Sequence, residues 1–386
     1  MPRLIGVSAF AMAVVAVAVF HSRPAEAQQF GNPGLMPNYA NFQPGMGPGS
    51  MGPGPMGAPM APMAGPPQGG CAMCGGQGCA ACDDGGQGGG GQAGCGYGGC
   101  EDDSAPMLDQ VGSFIDCPIP ITQVKVRYDR AINFEDFDRA LYFFPTTVAN
   151  GGQLPAPEGV LDFKDITTII EVAFSRRVSG FVELPGRIVE SDLGPQANGG
   201  PNRDGFGDMR AGGKFAFIAN DCEYLTGQVR LYMPTGDATE ALGVGHTSIE
   251  AGLLYQWNFA ERWNVTAEVL DWQAINSPTI PGTTNHFTGN VIQYGAGISY
   301  DVLDHCGDCA NMRVSAVAEF IGWTVIDGFK SGPQVPVSAD GDTIINGFYG
   351  FRGTWGAHTF YGGYGHYLSN DRWYEEIYRL EYAWRF

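Results

Sequence analysis

From residue 121 to the C-terminus the chain repeats one pattern: runs of about ten residues alternate apolar and polar side chains, with turn-forming residues between them. The final run, Trp373–Phe386, shows it most clearly. Tyr378, Leu380, Tyr382, Trp384 and Phe386 fall on one face, and Ile377, Arg379, Glu381, Ala383 and Arg385 on the other. A period of two is the β-strand signal. Twelve such runs can be placed, near 121–130, 167–177, 179–190, 206–219, 222–234, 246–258, 262–272, 289–302, 311–325, 342–353, 357–368 and 373–386. Residues 139–144 are a thirteenth candidate.

Parity along these runs separates two faces. One carries no charge in the strand centres and includes Val126, Ile170, Val172, Phe215, Phe217, Val229, Leu231, Leu253, Tyr294, Ile298, Phe351 and Leu380, with Tyr and Trp toward the strand ends. The other face is predicted to be polar. Its bases are Lys125, Arg127, Arg187, Arg210, Lys214, Arg230, Arg313, Arg352, Arg379 and Arg385, and its acids are Glu171, Glu183, Asp208, Glu250, Glu268, Glu319 and Glu381. A soluble sandwich would turn the apolar face inward. A transmembrane barrel turns it to lipid, rims it with aromatics, and joins an even number of strands by short periplasmic turns and longer outer loops. The connections alternate in that way if 131–166 is one long outer excursion, which leaves 139–144 over the barrel mouth. The predicted fold is therefore all-β: an antiparallel transmembrane β-barrel of about twelve strands over 116–386, its charged inner face lining a narrow passage.

The N-terminal part differs. Arg3, the apolar run Leu4–Phe20 and the small-x-small sequence Ala25-Glu26-Ala27 read as a secretory signal peptide over 1–27. Between Gly31 and Cys100 there are 24 Gly, 10 Pro and 7 Met, and no Lys or Arg occurs from Gln28 to Lys125. Such a composition cannot bury enough apolar surface to offset its ordering entropy, so 28–115 is expected to be a disordered periplasmic segment. It carries Cys71, Cys74, Cys79 and Cys82 in a C-x2-C-x4-C-x2-C spacing, then Cys95 and Cys100. An oxidising compartment favours disulfides, while paired C-x2-C units also suit zinc. Cys306 and Cys309 pose the same choice in a short turn, and Cys117 and Cys222 map to that same end.

Charge and motifs exclude other classes. The chain has 21 Lys and Arg against 40 Asp and Glu, a formal −19, the wrong sign for nucleic acid. No phosphate loop, dinucleotide fingerprint or zinc-protease motif is present, and no cofactor is expected. His246, Ser248 and Glu250 invite a hydrolase reading, but parity puts all three on the inner face, away from lipid. Asn198, Asn202, Asp204 and Asp208 could offer oxygens to Ca²⁺, but the better reading is a solvated loop.

Three segments carry a family resemblance: Gly205-x-Gly207-Asp208 opening a strand, Pro234-Thr235-Gly236-Asp237, and Leu242-Gly243-x-Gly245 before the next strand. In this order they resemble the outer-membrane barrels of the meta-pathway phenol-degradation family, which are assigned to transport. The resemblance covers about 121–386. It implies a non-enzymatic passage for small solutes, hydrophobic or aromatic ones included. Outer-membrane lipid is the expected surroundings, and the final strand closing on Phe386 resembles the assembly signal of bacterial outer-membrane barrels, which implies delivery by the barrel-assembly machinery. The alternative is an envelope anchor whose Cys-rich segment binds or cross-links periplasmic partners.

Overall fold

The computed structural model describes residues 110–134, 161–191, 202–238, 242–260, 262–277, 286–307, 310–330 and 337–386, with the isolated positions 279 and 284. In chain order the strands are β1 (Gln123–Phe134), β2 (Leu161–Ser175), β3 (Val178–Ser191), β4 (Asn202–Phe206), β5 (Met209–Ala219), β6 (Glu223–Met233), β7 (Ser248–Ala260) and β8 (Trp263–Ala274). They continue with β9 (Val291–Gly307), β10 (Ala310–Val325), β11 (Phe329–Lys330), β12 (Val337–Ser338), β13 (Thr343–Trp355), β14 (His358–Tyr367) and β15 (Glu376–Arg385). The elements β11 and β12 form a small hairpin in a long connection. All others join one antiparallel sheet.

That sheet closes. β1 pairs with β15 on one side and β2 on the other, β2 pairs with β3, and sequential hairpins complete the ring. β4 and β5 both run along β3 as one interrupted strand, so twelve staves make the barrel. The interruption lies at Gly207-Asp208, opposite Pro185. Proline gives the ladder a carbonyl, which Gly207 N takes at 2.8 Å, but no N–H.

Expected and observed strands agree within a few residues except at β2, which starts six residues earlier. The short connections are 176–177, 220–222, 261–262, 308–309 and 356–357, and all lie at the end holding the start of β1 and the C-terminus. Gly356 adopts φ +55° in one of them, a conformation suited to a two-residue hairpin turn. The long connections lie at the other end. The excursion 135–160, with the candidate strand 139–144, falls outside the described residues.

The apolar face is turned outward. Phe174 is 74% exposed, Phe351 64% and Leu380 60%, while their strand neighbours Ala173, Arg352 and Glu381 point the other way. Trp263, Trp355, Trp384 and Phe386 rim the short-turn end. Tyr294 lies on this face as expected but is buried, because it lies flat where Gly322 has no side chain: a Cβ there would meet its ring at 2.5 Å.

Candidate functional site

The inner wall is layered, which corrects the expectation of a uniformly polar face. Small polar residues occupy the short-turn end, among them Asn258, Asn264, Ser299, Thr354 and Thr359. A charged belt follows. Toward the long loops comes an apolar band with Phe134, Phe163, Val189, Trp272, Trp323, Ile344, Phe348 and Tyr374. The charges of the inner face are read from parity, but this apolar band is not, because the interior is expected to be polar throughout.

The space inside the belt is filled by the chain itself. Residues 110–115, assigned from composition to the segment preceding the barrel, enter the lumen with 116–122. Val111, Ser113 and Ile115 are buried. Their partners sit on strands all round the ring, so the segment can only be inside. Lys125 of β1 donates to Gln110 Oε1 at 3.0 Å, Arg352 of β13 to Gly112 O, and Arg379 of β15 to Ser113 O at 2.6 Å. Glu319 of β10 accepts the backbone N–H of Ser113, Phe114 and Ile115 at 3.2, 3.3 and 3.0 Å. Glu268 of β8 accepts from Asp116 N at 3.0 Å. The Thr226 hydroxyl of β6 donates to Pro118 O at 2.6 Å. Gln110 meets the third residue of β1, 112–115 reach the middle of the wall, and Cys117 and Ile119 pack on Ala216 and Tyr224 near the short turns. The segment is thus an inserted loop whose described ends both lie toward the short-turn side.

The belt charges pair closely. Arg230 reaches Asp116 at 2.6 Å, Glu250 at 2.7 Å and Glu183 at 3.3 Å. Arg379 grips Asp129 through two nitrogens at 2.6 and 2.8 Å, and Arg187 grips Asp165 at 2.8 and 2.7 Å. Lys214 meets Glu171 at 3.1 Å, Arg210 meets Glu183 at 3.1 Å, and Lys125, Arg127 and Arg352 surround Glu381. Arg313 lies lower, 3.6 Å from Asp301, and Arg385 sits half-buried at the final residue of β15. Buried charges need such partners. The sequence reading missed Asp116, Asp129, Asp165 and Asp301. Asp129 shares the parity of Lys125 and Arg127, Asp165 precedes the expected start of its strand, and Asp116 precedes β1.

Asp208 departs from its expected role of lining a passage. At the break between β4 and β5 its carboxylate accepts Gly236 N at 2.9 Å and Val244 N at 2.7 Å. The Thr235 hydroxyl bonds Gly207 O and Met209 N, each at 2.9 Å. A Cβ at Gly243 would strike Asp208 Oδ1 at 2.4 Å. The three motifs behind the family resemblance therefore form one knot that holds residues 234–238 and 242–247 onto the broken strand.

The hydrolase reading has no geometric support. Glu250 is engaged by Arg230 and by the Tyr232 hydroxyl at 2.8 Å, and Ser248 Oγ has no hydrogen-bond partner among the described residues. His246 Nε2 lies 3.1 Å from the Thr288 hydroxyl, and its ring packs on Trp272. Burial pushes the His246 pKa down to about 4. An unfolded imidazole titrates near 6.5, so the unfolded chain binds the extra proton between those values. Stability is complete above about pH 6.5 and falls as the pH drops toward about 4, by up to ~3 kcal/mol. Urea midpoints at pH 7.5 and 5 should differ in this direction, and His246→Gln should reduce the difference.

Among the described residues no three His, Cys, Asp or Glu are placed to hold a metal ion. Asn202 and Asp204 are exposed, and Asn198, Cys71, Cys74, Cys79, Cys82, Cys95, Cys100 and Cys309 lie outside the described residues. Cys306 falls in β9 opposite Asn311. Cys117 is free and buried, whereas Cys222, in a short turn, is disulfide-bonded.

Above the inserted loop lies a cavity of about 110 Å³, bounded by Phe114, Phe163, Trp323, Phe348 and Tyr374 and by the paired Arg187, Arg210 and Arg379. A closed twelve-strand antiparallel barrel, apolar outside and filled by its own N-terminal loop, is the class of protein that fold and site define. No family model matches the chain, and no curated protein matches it in sequence. Solved structures similar to it include an outer-membrane channel from Pseudomonas putida F1, at 15% identity and TM-score 0.46, covering 71% of this chain and 98% of that one. The KdgM porin in complex with disordered oligogalacturonate is similar at 10% identity and TM-score 0.35, covering 68% and 99%. The translocator domain of the autotransporter NalP from Neisseria meningitidis is similar at 14% and 0.36, covering 72% and 91%.

Proposed function

We propose that this chain is a bacterial outer-membrane β-barrel forming a narrow, non-enzymatic passage for small solutes, hydrophobic and aromatic ones included. In the described state it is shut from within by residues 110–122. The observation that carries this reading is how the lumen is filled. Besides the apolar packing of Ile115, Cys117 and Ile119, this loop is held by wall side chains through polar contacts that water can replace. A cavity lies beside it, unlike a core close-packed throughout. The outward apolar face and its aromatic rim support placement in a bilayer, and the motifs at 205–245 support the phenol-degradation type of barrel.

In the same reading 1–27 is a signal peptide, 28–109 is periplasmic, and the strand ending at Phe386 engages the assembly machinery. The disulfide at Cys222 supports placing the short turns in an oxidising compartment. The sealed lumen favours one second reading, an envelope anchor whose Cys-rich segment binds or cross-links partners. Swelling of proteoliposomes separates the two. Small neutral solutes should enter faster through the chain lacking 110–116 than through the intact one. Equal, background rates for both would leave the anchor.

A further inference from the structure

Phe114 is the aromatic side chain of the inserted loop, packed against the apolar band, and the wall receives it as a host receives a ring. Its ring stacks on Phe348 with centroids 3.8 Å apart and planes 19° from parallel. The Arg379 guanidinium carbon lies 3.8 Å from the Phe114 centroid, and Tyr361 presents its edge at 6.4 Å and 75°. These hosts are fixed without Phe114. Asp129 holds Arg379 through two nitrogens. Phe348 lies where Gly365 lacks a side chain, since a Cβ there would meet its ring at 2.3 Å, and Tyr361 lies likewise over Gly350 and Gly363 at 2.5 and 2.4 Å.

We propose that this slot is a binding subsite for the aromatic ring of a small uncharged solute, and that Phe114 occupies it as the loop's internal competitor. The proposal rests on the passage reading and names the solute class and the means of release. Three features define the ligand. A flat stacking face and a cation over the ring select planarity and a π-system. Asp129 already balances the charge of the cation, so the slot carries no net charge to draw an anionic group. Tyr361 Oη is buried without a hydrogen-bond partner among the described residues, ready for a polar substituent. Volume sets the order of events. The adjoining cavity, about 110 Å³, is smaller than the ~150 Å³ that accepts benzene in an engineered protein cavity. A ring therefore binds fully only as Phe114 leaves, and its binding favours the withdrawn loop.

The test is calorimetric titration of the detergent-solubilised full chain with benzamide and with cyclohexanecarboxamide, a pair matched in polarity but not in planarity. Phe114→Ala should tighten benzamide binding about tenfold, the gain expected where the tethered ring leaves the slot free about a tenth of the time, and leave cyclohexanecarboxamide weak. Phe348→Leu in that background should erase the preference. Equal affinity for the two amides, or no gain from Phe114→Ala, would overturn the subsite. Preferential benzamide binding by a barrel that passes no solute in swelling assays would uphold the subsite while sinking the passage.

Discussion

Gly112→Val is expected to leave the barrel folded and to expel the inserted loop. A Cβ at position 112 would meet Glu319 Oε1 at 1.8 Å and its carboxyl carbon at 2.4 Å. Glu319 cannot swing aside freely, because the same carboxylate holds the N–H groups of Ser113, Phe114 and Ile115. Hydrogen bonds to a charged group contribute about 1.5–3 kcal/mol each. Losing even one or two of them costs the docked state about 3 kcal/mol, roughly a hundredfold in its equilibrium with the withdrawn state. The wall itself loses no residue, so the urea midpoint of the strands should move little. Limited proteolysis reads the difference, with cleavage within 110–122 rapid in Gly112→Val and slow in the unaltered chain. Equal protection would show that the loop accommodates the added side chain.

Arg230→Ala carries the largest expected loss of stability. Its guanidinium serves Asp116, Glu183 and Glu250 together, and removing it leaves three carboxylates facing one another in the lumen. Breaking a buried charge pair costs about 3–5 kcal/mol, and Arg230→Lys should restore only part, since one ammonium cannot span the fork geometry. Arg176→Ala is the contrast. That arginine pairs with Asp221 in a short turn with both side chains more than 60% exposed, and such a pair contributes about 0–1 kcal/mol. Urea unfolding in lipid vesicles, followed by tryptophan fluorescence, should separate the two variants by several kcal/mol.

Most of the barrel is legible in the sequence because its physics is local. A period of two, one face without charge and a regular alternation of short and long connections place all twelve staves, and the charged belt follows from their parity. The contents of the lumen are legible only in part. Val111, Phe114 and Ile115 are apolar residues at the edge of a Gly- and Pro-rich stretch, and no periodicity marks a segment in which Gly112, Ser113, Phe114 and Ile115 find their partners on strands more than 200 positions away. Wall residues such as Glu319 and Arg352 are recognisable as inward charges, but their ligand is backbone, which carries no sequence signature. Trp272 and Trp323 show the limit of hydropathy on an inner face, where a large apolar residue implies packing that parity cannot name. Asp208 shows another limit, since a strand break at Gly207 turned an apparent lumen carboxylate into a loop anchor.

The central claim is that residues 110–122 close an otherwise passable barrel, and single-channel conductance in planar bilayers tests it most directly. The intact chain should stay closed for most of the record, and the chain lacking 110–116 should give large, long-lived steps that grow with salt concentration. Identical traces from the two proteins, whether both open or both silent, would contradict the account.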